Sequence, residues 1–414
     1  MSTAAARRLR IADYTYELPE ERIARYPLAD RSSAKLLQYK DGEISKHIFR
    51  DLPDLLPRGT LLVGNQTRVI HARLQFTLET GKPLEIFCLE PLQPTDYAQS
   101  LSSTEPVVWK CLVGGNRRWK SGLLRKTFPH GGREVTLIVE RRTHDAESFA
   151  ITFGWEYDTP LSFGEVLEAV GTVPLPPYLD RPAEADDRQR YQTVFARQEG
   201  SVAAPTAGLH FTPEVLQALE ARGIEFAPIT LHVGAGTFKP VTTETLGDHV
   251  MHREYYSATD PFIRRVYQQL LSGKPIVCIG TTSLRCLETL FYEGASIGQG
   301  DPWVAEEDQW VATRKQFQRA FNLSAFTTLM DYLDATGEPG ISGYTRLLLT
   351  PESELRVADG LITNFHQPQS TLLLLVAAIL GDDWRRVYDY ALANDFRFLS
   401  YGDSSLLWRW GART

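Results

Sequence analysis

Four short apolar runs in the second half of the chain each stop abruptly in small, hydroxylated or imidazole side chains. They cover residues 201–211 (SVAAPTAGLHF), 229–238 (ITLHVGAGTF), 276–285 (IVCIGTTSLR) and 361–368 (LITNFHQP). An apolar run bounded by Gly and polar residues predicts a buried strand, and amphipathic helical stretches separate several of these runs. Alternating strands and helices predict a mostly parallel sheet, whose C-terminal strand ends and following loops form the site. On this pattern His210, His232, Thr281, Thr282, Ser283, Asn364 and His366 wall one pocket.

The first half has another texture. A helix start is signalled at 19–25 (PEERIAR), and 61–64 (LLVG) is a short buried strand followed by Asn65. From about 73 to 157, strand-length runs at 73–78, 83–89, 107–113, 133–139 and 148–153 alternate partially, separated by turn residues. No helix pattern interrupts them, which predicts a small antiparallel β-barrel. From Phe163 the helix–strand alternation resumes, with a buried helix start at 372–380 and loops at 294–301 and 335–343. The predicted fold is therefore α/β: a barrel-like α/β domain in two parts, 1–73 and 158–414, interrupted by an inserted β-barrel domain at 74–157.

Length and charge add bounds. The 414 residues suit two or three domains, and the net charge of −7 argues against a general polyanion binder. Against that acidic background, positions 110–142 carry Lys110, Arg117, Arg118, Lys120, Arg125, Lys126, Arg133, Arg141 and Arg142, opposed only by Glu134 and Glu140. With Trp109 and Trp119 interleaved, the cluster is a candidate nucleic-acid surface; a solvated basic face competes with that reading. The four cysteines show neither CxxC spacing nor disulfide density, so a reduced, cytoplasmic setting is expected. No apolar stretch is long enough to predict a membrane span.

Several segments carry candidate chemistry. His210 lies near a turn into a helix capped by Thr212 and Pro213, where a general acid or base could reach a ligand; a backbone-bonded histidine would read the same. The 280–285 segment (GTTSLR) opens a helix whose free amides suit a carboxylate or phosphate, with Arg285 as a possible clamp and ordinary capping as the alternative. Gly234 and Gly236 lack the rest of a dinucleotide fingerprint, and more simply let backbone approach a ligand or another strand. His249, His252 and Glu254 lack metalloprotease spacing, so acid–base work by His252 or Glu254 is expected rather than a metal, with plain surface polar residues an equal alternative. In 400–403 (SYGD), Tyr401 and Asp403 could bind a ribose or simply form a turn.

Taken together, the segments resemble the S-adenosylmethionine:tRNA ribosyltransferase-isomerase family of queuosine biosynthesis. The similarity runs colinearly through 14–37 (YTYELPEERIARYPLADRSSAKLL), 49–52 (FRDL), 65–74 (NQTRVIHARL), 173–178 (VPLPPY), 191–196 (YQTVFA), APTAGLHFT, LHVGAGTF, 251–256 (MHREYY), GTTSLR, 359–375 (DGLITNFHQPQSTLLLL) and 396–407 (FRFLSYGDSSLL). The resemblance implies transfer of the ribosyl part of S-adenosylmethionine to 7-aminomethyl-7-deazaguanine at the tRNA wobble position, with isomerisation to epoxyqueuosine and release of adenine and methionine. S-adenosylmethionine is then a cosubstrate, with no prosthetic group and no metal needed, because the sulfonium already acidifies the adjacent C5′ proton. It also implies a cosubstrate site drawn from Thr206, Gly234, Gly236, Thr237, Thr281, Thr282, Ser283, Arg285, Asn364 and Tyr401. Proton handling would fall to His210, His252, Glu254 or His366, ribose contacts to Asp403, and RNA contacts to Arg68, Arg117, Arg118 and Lys120.

The chain departs from the family pattern at Gln66, His71, Gln189, Gln367 and Gln369. The losses of an acid at Gln66 and a base at Gln369 keep open a paralogue using the same cosubstrate on another acceptor, and the basic cluster at 110–142 keeps open a non-catalytic RNA-binding protein.

Overall fold

A computed structural model describes residues 3–144, 148–234, 241–301, 304–317 and 321–409. The chain builds two main sheets. The larger has nine strands, in the spatial order Gly340–Thr345, Glu254–Thr259, Glu225–Leu231, Leu61–Asn65, Ile276–Ile279, Gly360–Asn364, Ser404–Trp408, Lys35–Lys40 and Glu43–Ile48. Its centre is parallel: Glu225–Leu231, Leu61–Asn65, Ile276–Ile279 and Gly360–Asn364 run the same way. Both flanks include antiparallel pairs, so the sheet is mixed rather than mostly parallel.

The central strands are apolar on both faces because both faces are covered. Leu61, Val63 and Cys278 pack with the Thr281–Ile297 helix in one core, while Leu62, Val277 and Ile279 pack with the Pro213–Ala221 helix in another. The Thr281–Ile297 helix runs through 294–297, where the sequence predicted a loop. Gly294 there permits a close helix crossing, since a Cβ would stand 2.2 Å from the Ala325 carbonyl oxygen. Conversely, the helix signal at 19–25 yields only a single turn, Glu20–Arg22.

The second sheet is antiparallel and curled, with seven strands: Gly171–Thr172, Arg73–Thr77, Pro83–Gln93, Val107–Gly114, Phe149–Glu156, Arg133–His144 and Leu124–His130. The Leu124–His130 strand falls outside the runs marked in the sequence, and it contains Pro129. It is an edge strand, where a missing N–H is tolerated. Lys126 on that edge donates to the Gln75 carbonyl at 3.0 Å, bringing the far strand of the curl alongside. A short helix, Tyr97–Ser102, also interrupts the strands, capped by Asp96 accepting from the Gln99 amide.

Candidate functional site

The principal cleft opens where two parallel neighbours end. Ile276–Ile279 passes through Gly280, at φ +85°, into the Thr281–Ile297 helix, and Gly360–Asn364 ends beside it. Thr363, Asn364, His366 and Gln367 line one side of the cleft, and Gly280, Thr281 and Thr282 another. Ala203–Ala207 and Val233 close a third, with Tyr178 and Ser400 at the rim of the same space. Counting its open mouth, the cleft encloses about 720 Å³.

Its polar groups are few and specific. Asn364 is a hub: its Oδ1 accepts from the Thr206 hydroxyl at 3.1 Å, and its Nδ2 donates to His210 Nε2 at 3.3 Å. That assignment leaves the His210 proton on Nδ1. The buried His210 ring lies 5.1 Å from Phe49, and burial lowers its pKa to about 4, helped by the charges of Arg397 and Arg31. His366 pairs its Nε2 with the Thr363 hydroxyl at 2.9 Å, while its backbone N–H donates to the Tyr388 hydroxyl and its carbonyl accepts from Tyr16. Burial lowers its pKa to about 3. Both imidazoles are therefore neutral at physiological pH. Thr282 Oγ1 is buried in the cleft wall without a hydrogen-bond partner among the described residues. At the first turn of a helix, that hydroxyl and the free amides suit a carboxylate.

His210 itself is placed by a helical turn, Thr206–His210, rather than by a strand of the large sheet. The preceding strand, Gln198–Ser201, pairs only with Thr67–Val69 in a separate two-stranded ribbon. His210 faces a smaller recess and reaches the principal cleft through Asn364.

A second group of candidates converges on itself. Glu254 accepts from Arg285 Nη1 at 2.5 Å and from the Gly234 amide at 3.2 Å, and its Oε1 lies 3.3 Å from His252 Nε2. Burial alone would raise this carboxyl, but His252 and Arg285 outweigh it and hold the pKa at about 2. Arg285 also donates to the Leu347 carbonyl. Its guanidinium is thus engaged by Glu254 through Nη1, while Nη2 has no hydrogen-bond partner among the described residues, and the pairing favours the carboxylate form of Glu254. Gly236 and Thr237 lie outside the described residues.

Asp403 is engaged within the fold. Its two oxygens accept the backbone amides of Lys35, at 3.0 Å, and Arg397, at 2.8 Å, so its role is to tie strand to turn. Tyr401 donates to Asp187 Oδ1 at 2.9 Å, and Asp187 is itself gripped by Arg181 through two contacts of 2.7 and 2.8 Å. The basic cluster is also thinner than its sequence suggests. Trp109 and Trp119 are buried and unavailable for stacking on bases. Acids from outside the 110–142 window pair with three of the cations: Glu90 with Lys110, Glu156 with Arg125 and Asp158 with Arg133. Arg141 lies over Phe149 and donates to the Trp119 carbonyl. Arg117, Arg118 and Lys120 remain exposed on one turn, and Arg68 is exposed near Glu199.

Comparison with known proteins identifies the family. The model of the queuosine biosynthesis protein family matches residues 11–407. The chain belongs to that family. A relative from Chlorobium luteolum is 38% identical, and one from Desulfitobacterium hafniense is 34% identical; each comparison covers 96% of this chain and all of the relative. Both bear the name S-adenosylmethionine:tRNA ribosyltransferase-isomerase. A solved S-adenosylmethionine tRNA ribosyltransferase from Thermotoga maritima is 26% identical, over 95% of this chain and 99% of that one, with a TM-score of 0.45.

Within this family member, Gln66, His71, Gln189 and Gln369 do not line the cleft, whereas Gln367 does. Gln66 donates its side-chain amide to Thr230, which in turn donates to Gln198, so this neutral network has absorbed the family's acid position. Tyr178 and Ser400 were missed as site residues. Both sit inside segments the sequence already marked, VPLPPY and FLSYGD, but as rim groups they carry no charge to single them out.

Proposed function

We propose that this chain transfers and isomerises the ribosyl moiety of S-adenosylmethionine onto 7-aminomethyl-7-deazaguanine in the tRNA wobble position, forming epoxyqueuosine and releasing adenine and methionine. The observation that carries this reading is the match to relatives of that name over 96% of the chain and all of each relative. The cleft chemistry supports it. The methionine carboxylate fits the Thr281–Ser283 helix start, with the unpartnered Thr282 hydroxyl supplying one more donor. Thr206 and Asn364 offer neutral hydrogen bonds to the adenosyl part, and the neutral His210 and His366 are available to accept or relay protons.

The same reading treats residues 74–157 as an inserted, barrel-like unit between 1–73 and 158–414, helping to hold the tRNA. Replacing Arg117, Arg118 and Lys120 together by Ala should flatten the salt dependence of RNA binding by about one logarithmic unit per lost phosphate contact. An unchanged slope would make that turn merely solvated. Four of the five motif departures lie outside the cleft, which favours the usual acceptor over a changed one. The decisive experiment measures adenine release from S-adenosylmethionine with and without tRNA bearing the precursor base. Release only with precursor tRNA is expected; release with another acceptor, or none, would reject the reading.

A further inference from the structure

The segment from Phe365 to Gln369 joins the Gly360–Asn364 strand to the Thr371–Leu380 helix and puts His366 and Gln367 into the cleft wall. It is neither helix nor strand, so no regular ladder takes up its backbone groups, and each buried one must find another partner. Those partners come from four distant parts of the chain. Leu399 donates its amide to the Phe365 carbonyl at 3.0 Å, and Val241 donates to the Gln369 carbonyl at 3.2 Å. Gln369 donates its own amide to the Tyr14 carbonyl at 2.9 Å. At His366 the partners are side chains instead. Its N–H donates to the Tyr388 hydroxyl at 3.0 Å, and its carbonyl accepts from the Tyr16 hydroxyl.

Tyr16 lies in the N-terminal segment and Tyr388 on the Asp383–Ala393 helix, yet their rings meet edge-on at 5.0 Å. Phe365, 5.5 Å from Tyr388, and Phe398, 5.9 Å from Tyr16, complete an aromatic box under the segment. Phenylalanine would serve that packing equally well. Each hydroxyl, among the described residues, hydrogen-bonds only to a peptide group of His366. Because the two phenols hold the peptide groups on both sides of the His366 Cα, they fix the direction in which its side chain leaves the backbone. The ring is then met by Thr363, whose hydroxyl lies 2.9 Å from Nε2. Direction matters at this position. An acid or base acts only within about 2.6–3.2 Å of the atom it serves, and a misplacement of about 1 Å costs on the order of a hundred-fold in rate.

We propose that Tyr16 and Tyr388 are positioning residues for His366: their hydroxyls set its imidazole in the cleft wall, where it takes or gives a proton during the reaction. The inference rests on the reading of the site above. Neither tyrosine lines the cleft, so each acts through His366 alone.

The test is a double-mutant cycle on the full chain, read as single-turnover adenine release from S-adenosylmethionine with precursor tRNA. Tyr388→Phe keeps the ring and removes the hydroxyl; it should lower turnover about ten- to a hundred-fold. S-adenosylmethionine affinity, measured by calorimetry, should stay within about two-fold of wild type. His366→Ala should cost about a hundred-fold or more. Combined, the two substitutions should cost no more than His366→Ala alone, because a hydroxyl that acts only through His366 then has nothing left to position. Tyr16→Phe should show the same non-additivity, and it decides the matter if Tyr388→Phe fails to fold. A tyrosine hydroxyl whose removal costs the same with and without His366 is merely structural, and that result overturns the proposal. Full turnover in both Tyr→Phe variants, or in His366→Ala, overturns it equally. Wild-type adenine release reports on the broader reading by itself: without any release both fall, whereas release with an additive cycle removes the positioning role alone.

Discussion

Glu254→Ala should destabilise the protein by about 3–5 kcal/mol, the cost of leaving a buried guanidinium without its counter-ion. Arg285 has a side chain only 4% exposed, and Glu254 is its charged partner at 2.5 Å. Removing the carboxylate also strands the Gly234 amide and the facing His252. A fall in Tm of about 3–6 °C is expected by calorimetry. The double variant Glu254→Ala, Arg285→Met removes both charges and should recover part of the loss, because a buried pair is worth less than the penalty for breaking it. A double variant no more stable than Glu254→Ala would show that packing, rather than charge, dominates there. The pH dependence has a definite sign. The folded carboxyl titrates at about 2, below the ordinary glutamate value of about 4.3, so the unfolded chain binds the extra proton first. Its stabilisation is complete above about pH 4.3 and disappears as the pH falls through about 2.

His210→Ala should lower turnover by about 10²- to 10⁴-fold, the usual contribution of a positioned acid–base group, while S-adenosylmethionine still binds. The imidazole is the buried end of the Thr206–Asn364–His210 chain and sits between the cleft and the smaller recess. Burial holds it neutral, so its protonation begins only as the pH falls toward about 4. The pH–rate profile of the wild-type enzyme should therefore show no inflection from His210 between about pH 5.5 and 8. Calorimetry paired with single-turnover adenine release separates the two effects. Undiminished turnover in the alanine variant would give the proton transfer to another group, His366 being the imidazole in the cleft wall.

What was legible in the sequence is mostly local. Thr212 caps the Pro213–Ala221 helix by accepting from Val215, three residues on. The runs ending in GTTSLR and NFHQP predicted buried strands that stop at a polar edge, and their neighbouring ends do form the cleft. Family membership was equally readable, because colinear motifs survive without any knowledge of contacts. The sequence-level reading fails where a partner is distant. Glu254 and Arg285 were separately plausible as acid and clamp, and only the register of the Glu254–Thr259 strand beside the Thr281–Ile297 helix spends them on each other. Counting acids within 110–142 overstated the basic surface, since Glu90, Glu156 and Asp158 arrive by strand pairing and turn geometry. The side-chain pattern by itself determined the central buried strands, the start of the Pro213–Ala221 helix and which family the chain joins. Tertiary structure alone decided which charges are neutralised by carboxylates and which, at Arg31 and Arg190, are held by backbone carbonyls instead, because electrostatic pairing depends on distances of a few ångströms that sequence separation does not encode.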